Sequence, residues 1–137
     1  MMRGEVLAHG EWIAHLDDDD CFTPDHLAVL FAAAQRSQWE YVWGQMRVEV
    51  SPGVWRDEGS ATPLLYEIPH SALMYRSYLR NLPPDIESWK YDLGADRHRF
   101  RRWHLAGAHG GFVPQVVATA PLRPGTTQPW ANAEDRE

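Results

Sequence analysis

The chain has 137 residues, 44% of them hydrophobic, which suits one globular domain rather than a disordered or fibrous protein. Its formal net charge is −6 and its 13 basic residues form no long run, which argues against nucleic acid as the main partner. No apolar run approaches the roughly 20 residues that cross a membrane, and the N-terminus lacks the apolar core of a secretion signal. The single cysteine, Cys21, fits a reducing compartment. We therefore expect a soluble cytoplasmic protein without a membrane span.

The first part of the sequence predicts a strand, a helix and a hairpin. The apolar run "EWIAHL" at 11–16 predicts a buried strand that ends at four successive aspartates. Thr23 suits a helix N-cap and Pro24 the first helical position, so a helix is predicted over 24–37. Its apolar residues at helical spacing are Leu27, Leu30, Phe31 and Ala34. Alternation in "EYVWGQMRVEV" predicts a strand, and "SPG" a turn that returns as a second hairpin arm.

The second part predicts a strand, a loop, a helix and a closing strand. Residues 71–79 are apolar and predict a strand that runs into a short helix, and 80–95 predict a long loop. The next helix is predicted to begin at a capping Asp96 and to end at Gly107. Its basic cluster at 97–102 is typical of a solvated helix face. Pro114 predicts an edge or a bulge in the closing strand.

This order of elements is an α/β pattern, in which a mixed sheet is flanked by helices. No repeat or linker divides the chain. We expect one domain over residues 1–123 and a polar tail over 124–137.

The four aspartates at 17–20 are the most informative feature of the sequence. In open α/β sheets, ligands bind beyond the carboxyl ends of strands. Mg²⁺ and Mn²⁺ prefer oxygen ligands, usually one or two carboxylates together with substrate phosphates. A bound cation would also offset the repulsion among these side chains. The alternative is an acidic loop whose charge favours the following helix dipole.

The segment "GEWIAHLDDDDCFTPDHLAVL" resembles the central motif of the GT-A glycosyltransferases, especially inverting family 2. The family shows an apolar strand, Leu-Asp-x-Asp-Asp, three residues, a proline and a helix. The resemblance implies that Asp19 binds a divalent metal, Mn²⁺ or Mg²⁺, and that Asp17 contacts both metal and donor. It implies a donor contact for Asp18, and it leaves open whether Asp18 or Asp20 only caps or shapes the turn.

A second resemblance lies in "ADRHRFRRWHLAG" at 95–107. In the family, an aspartate at the start of this helix is the general base that deprotonates the acceptor hydroxyl. Asp96 occupies that position here, although Ala95 replaces the usual glutamate before it. Trp89 and Tyr91, in the preceding loop, offer flat faces to an acceptor sugar, and packing in the core is the alternative.

The resemblance implies an inverting, metal-dependent transferase that moves a sugar from a nucleotide-diphospho-sugar to an acceptor hydroxyl. The nucleotide-binding half of the family normally precedes the aspartate motif, so we expect this chain to represent the second half of a GT-A domain. The alternatives are a non-catalytic module that binds metal or nucleotide-sugar, a purely structural domain, and a hydrolase of diphosphate compounds. Without the strands of the first half, the 11–16 strand lacks neighbours, which predicts a homodimer or larger oligomer.

Overall fold

The computed structural model describes residues 3–61, 68–82 and 95–124. The helices are α1 (Arg3–Leu7), α2 (His26–Ser37) and α3 (Ala95–Leu105), and short 3-10 turns cover His70–Ala72 and Ser77–Asn81. The strands are β1 (Trp12–Ala14), β2 (Cys21–Phe22), β3 (Tyr41–Ser51), β4 (Val54–Glu58), β5 (Leu73–Arg76) and β6 (Gly110–Ala120).

The strands form one mixed sheet in the order β1-β5-β3-β6-β2, with β4 paired to β3 as a hairpin. Strands β3 and β6 are parallel, whereas β1 pairs antiparallel with β5 and β5 antiparallel with β3. Strands β1, β3 and β6 therefore run in the same direction. Within the described residues β1 pairs only with β5, so β1 is an edge strand.

The sheet has a hydrophobic core on each face because successive residues of β3 point to opposite sides. Tyr41 and Trp43 pack with Phe100 and Trp103 of α3 on one face. Val42 packs on the other face with Leu30, Ala33 and Ala34 of α2. The two long helices thus cover opposite faces of the sheet, and the predicted α/β class is confirmed.

The 11–16 segment is a strand as predicted, but only three residues long, and Leu16 is half exposed rather than buried. Helix α2 starts two residues later than predicted, with Asp25 rather than Thr23 at the N-cap position. The Thr23 hydroxyl donates to the carbonyl oxygen of Val117 and to Asp25 instead. Thr23 therefore anchors the start of α2 to β6 and does not cap the helix.

Two predicted helix faces were wrong in part. On α2, Leu27 and Phe31 are exposed, and the buried residues are His26, Leu30, Ala33 and Ala34.

Helix α3 ends before Gly107, whose φ of 87° permits the left-handed stop that was predicted. Its basic cluster is not a uniformly solvated face, because His98 and Arg99 are buried. The helix begins at Ala95, so Asp96 lies inside its first turn rather than at the cap.

Strand β6 carries the bulge that Pro114 predicts. Phe112 pairs with Trp43 and Val116 with Gln45, so extra residues of β6 lie opposite Gly44. Because β6 has β3 on one side and β2 on the other, it is not an edge strand.

No helix in the described part of the chain is long and apolar enough to cross a membrane.

Candidate active site

The four aspartates form a tight turn, here called the acidic turn (Asp17–Asp20), between β1 and β2. The backbone N–H of Asp20 donates to the carbonyl oxygen of Asp17 over 3.1 Å, which closes the turn. Asp18 and Asp19 occupy its two central positions and are exposed. Asp17 and Asp20, at its ends, are partly buried. The turn follows the carboxyl end of β1, where the sheet topology predicts a ligand site.

The 3-10 turn at His70–Ala72 holds both ends of the acidic turn. Ring nitrogen Nδ1 of His70 lies 3.2 Å from Oδ1 of Asp17. The Ser71 hydroxyl accepts the backbone N–H of Asp17 over 3.0 Å and donates to Oδ2 of Asp20 over 2.5 Å. Ser71 is completely buried, so the Asp20 oxygen that it contacts points into the protein. The exposed corner of the turn is therefore carried by Asp18 and Asp19.

Burial raises the pKa of Asp20 above its ordinary value. The charges of Asp19 and Asp17 raise it further, while the hydrogen bond from Ser71 opposes these effects. Arg123, after β6, brings a positive charge to the other side of the turn, with Nη2 3.7 Å from Oδ2 of Asp18. This contact is solvent-exposed, so it contributes to the local field more than to stability.

Next to the acidic turn lies a polar network, here called the buried network, in which Glu5, Tyr75 and Arg99 are buried and His15 is partly buried. The Tyr75 hydroxyl donates to Oε1 of Glu5 over 2.5 Å and lies 2.6 Å from Nε2 of His15. Because that hydroxyl proton goes to Glu5, Nε2 of His15 carries the proton that Tyr75 accepts. Arg99 forms an ion pair with Glu5 and also donates to the Tyr75 oxygen over 3.3 Å.

The network keeps His15 neutral and Glu5 charged at neutral pH. Burial, with the nearby His70 and Arg99, lowers the pKa of His15 to about 4. Burial alone would raise the pKa of Glu5, but hydrogen bonds from Tyr75 and Arg99 and the Arg99 charge lower it overall. The His15 ring stacks on His70 with ring centres 4.5 Å apart. A continuous set of contacts thus leads from Asp17 through His70, His15 and Tyr75 to α3.

The structure brings only some of the predicted site residues together. Asp17, Asp18 and Asp19 share the acidic turn. Asp96 lies in the first turn of α3, one helical turn before Arg99, which the buried network ties to the acidic-turn segment. Trp89 and Tyr91 lie outside the described residues.

The acidic turn offers the oxygen chemistry that Mg²⁺ and Mn²⁺ prefer. Its carboxylates are hard ligands, and its corner is open to solvent. Across residues 3–61, 68–82 and 95–124, no group of three His, Cys, Asp or Glu side chains could hold a metal ion. An ion bound at the turn would need further ligands, such as the substrate phosphates that usually complete the shell of Mg²⁺.

Sequence reasoning missed Ser71, His70 and Arg123 as neighbours of the acidic turn. Ser71 and His70 are more than 50 residues away in sequence from the aspartates that they contact. No local pattern marks them, because "PHSA" is unremarkable until β5 pairs with β1 and β3. Arg123 follows β6, far along the chain from the Asp18 carboxylate that it approaches.

The chain is similar to known proteins in sequence and in fold. Residues 1–112 match the family model described as Glycosyl transferase family 2. Among solved structures, the chain is similar to S. aureus TarS 1–349, crystallised in complex with UDP-GlcNAc, with a TM-score of 0.62 and 16% identity. The similarity covers 89% of this chain but only 38% of that one. No curated protein sequence matches the chain.

The structural similarity confirms the predicted partial GT-A fold, a mixed sheet with flanking helices. The family match includes the acidic turn, the buried network and α3. Since that match covers most of the sequence, the chain belongs to glycosyl transferase family 2.

Proposed function

We propose that the protein carrying this chain transfers a sugar from a nucleotide-diphospho-sugar donor to an acceptor hydroxyl. The observation that carries the proposal is the family match over residues 1–112, which includes the acidic turn at the carboxyl end of β1. The similar TarS structure was determined with UDP-GlcNAc, which supports a donor of this chemical class. The chain spans little more than a third of that TarS chain, so the proposal concerns the whole protein.

In this proposal Asp17 and Asp19 hold a divalent ion, Mn²⁺ or Mg²⁺, together with the donor diphosphate. The ion, when bound, offsets the negative charge that develops on the leaving nucleoside diphosphate. His70 orients the Asp17 carboxylate through its Nδ1 contact. Asp17 and Asp18 contact the donor, and the Arg123 guanidinium beside Asp18 adds positive charge on the phosphate side of the turn.

We assign the general base to Asp96, in the first turn of α3. A carboxylate there accepts the proton of the acceptor hydroxyl as that oxygen attacks the anomeric carbon. Direct attack in one displacement inverts the configuration at that carbon. Trp89 and Tyr91 are proposed to contact the acceptor sugar. The alternative function is a non-catalytic module that binds metal or nucleotide-sugar, and product formation by the complete protein distinguishes the two.

Metal binding at the acidic turn gives a direct test. We expect Mn²⁺ to bind weakly alone and more tightly with UDP, because the diphosphate supplies the missing oxygen ligands. Replacement Asp19→Asn is expected to weaken Mn²⁺ binding in the presence of UDP by about tenfold or more, about 1.4 kcal/mol. Titration calorimetry with Mn²⁺, with and without UDP, measures this effect.

The matched control is Asp57→Asn, which alters an exposed carboxylate on β4 that pairs with Arg47. It should leave Mn²⁺ affinity unchanged. Equal binding by the wild type and by Asp19→Asn would show that the acidic turn does not hold the ion through Asp19.

We also propose that the chain self-associates in the cytoplasm, as a homodimer or larger oligomer. Edge strand β1, with no second strand partner among the described residues, and the exposed Leu27 and Phe31 of α2 support a contact with a second copy. Light scattering on a size-exclusion column at micromolar concentration should give at least twice the 15.7 kDa chain mass. A stable monomer of the isolated chain would contradict this proposal.

A further inference from the structure

Ser71 links the two ends of the acidic turn through one buried hydroxyl. Its oxygen accepts the Asp17 N–H at 3.0 Å, and its proton is donated to Oδ2 of Asp20 at 2.5 Å. The 3-10 turn that carries Ser71 is fixed by a bond from the Ala72 N–H to the Pro69 carbonyl oxygen. Ala72 and Leu73 are both buried in the core, so the hydroxyl sits on a rigid support.

Both hydrogen bonds of this hydroxyl are with the acidic turn. Its single proton is donated to Asp20, which leaves only oxygen lone pairs for the Asp17 amide. Together with the Asp20 N–H bond to the Asp17 carbonyl oxygen, these contacts form a closed ring around the turn. Such a ring fixes the backbone at Asp17 and therefore the direction in which the central residues leave the turn.

The four aspartates consequently differ in their surroundings. The Asp20 carboxylate is directed at a side chain with no exposed surface, whereas Asp18 and Asp19 face solvent. Asp17 lies between these extremes, with one oxygen near His70. An ion that arrives from solvent meets the more exposed carboxylates first, and reaches Oδ2 of Asp20 only by displacing Ser71.

We propose that Asp20 anchors the acidic turn and is not a metal ligand, and that Ser71 is a positioning residue that sets Asp17 and Asp19 for the ion and the diphosphate. This inference rests on the proposed function. It divides four adjacent, identical side chains into one anchor and three residues directed at the substrate. The division comes from a serine more than 50 residues along the chain.

The decisive variants separate the charge of Asp20 from its hydrogen bond. Asp20→Asn removes the charge but keeps an oxygen that accepts the Ser71 hydroxyl, so Mn²⁺ affinity with UDP should stay within about threefold of wild type. Ser71→Ala and Asp20→Ala each break the ring and should weaken binding about tenfold, as loss of outer-shell partners commonly does. The double variant Ser71→Ala/Asp20→Ala should be no weaker than either single variant, because both remove the same interaction.

Thr23→Val is the matched control for loss of a hydroxyl near the turn. The Thr23 hydroxyl shares its proton between two acceptors, Val117 and Asp25, and neither of them belongs to the acidic turn. This variant should lose stability and keep Mn²⁺ affinity. If Asp20→Asn loses Mn²⁺ binding to the extent that Asp19→Asn does, Asp20 is a ligand and the inference is wrong, while the proposed function stands.

A measurement without metal separates the inference from the proposed function. Hydrogen exchange at the Asp17 and Asp20 amides should be faster in Ser71→Ala and unchanged in Asp20→Asn. If the wild type binds no Mn²⁺ with UDP, the metal part of the proposed function is wrong. The exchange data still test whether Ser71 and Asp20 anchor the acidic turn. Unchanged exchange in Ser71→Ala would overturn the anchor itself.

Discussion

Glu5→Gln is expected to destabilise the protein by about 3–5 kcal/mol, because it leaves the buried Arg99 guanidinium without its counter-charge. Glu5 is 3% exposed and Arg99 5% exposed, and the two side chains form an ion pair between α1 and α3. Oε2 of Glu5 and Nε of Arg99 are buried and have no hydrogen-bond partner, so the pair is already incompletely satisfied. Denaturant unfolding of wild type and variant at pH 7 measures the difference.

The size of this effect should depend on pH. The network lowers the folded-state pKa of Glu5 below its ordinary value of 4.5. A carboxylate with a lowered pKa contributes stability that is complete above the unfolded value and is lost as pH falls through the folded value. The difference between wild type and Glu5→Gln should therefore be complete at pH 7 and shrink below about pH 4.5.

Glu11→Gln provides the comparison for an exposed ion pair. Glu11 lies 3.3 Å from Arg76, and its side chain is 87% exposed. Its replacement should cost no more than about 1 kcal/mol. The double variant Glu5→Gln/Arg99→Met should regain much of the lost stability, because it removes the uncompensated charge. If Glu5→Gln loses no more stability than Glu11→Gln does, Glu5 does not balance a buried charge.

Asp96→Asn is expected to lower turnover of the complete protein by about 10²–10⁴-fold while donor binding stays unchanged. The amide cannot accept the acceptor's proton, and that proton leaves only in the transition state. Asp96 lies three residues before Arg99, and Arg99 reaches the acidic-turn segment through Tyr75 and His15. Helix α3 is therefore held by contacts with the same segment that carries the proposed metal ligands.

Turnover and donor affinity must be measured separately for this variant, by product formation and by UDP titration. Asp25→Asn is the matched control, since Asp25 is also a carboxylate at the start of a long helix. It should change stability slightly and leave turnover unchanged. If Asp96→Asn loses donor binding but keeps its turnover at saturating donor, Asp96 belongs to the donor site and is not the general base.

Local features of the fold were predictable because they depend on neighbouring residues. The hairpin at Gly53, the stop at Gly107 and the bulge at Pro114 all follow from the backbone limits of single residues. The acidic turn was predictable as well, since four charges directly after an apolar run cannot continue a buried strand. The different surroundings of those aspartates were not, because they depend on contacts with the distant Ser71.

The wrong assignments share a physical cause, which is contact with distant parts of the chain. The apolar residues of α2 are compatible with burial of either of two neighbouring faces of the helix. His26 decides between them, because its ring nitrogen bonds the Val117 carbonyl oxygen at 2.7 Å and turns Leu27 and Phe31 outward. In the sequence Arg99 resembles the other arginines of its cluster, and its partner Glu5 is 94 residues away. From sequence alone, a charged residue is predicted to face solvent, because a distant partner of opposite charge cannot be recognised.

The long sequence separations within the site also determine when it forms. The bonds that shape it join residues 54, 60 and 94 positions apart, so none can form in an isolated fragment of the early chain. Closing such loops costs entropy that only the assembled sheet repays, so we expect the site to order late during folding. A ligand bound there then draws the chain toward its fully folded state by mass action. Ligand affinity would thus serve as a sensitive indicator that the chain has completed its folding.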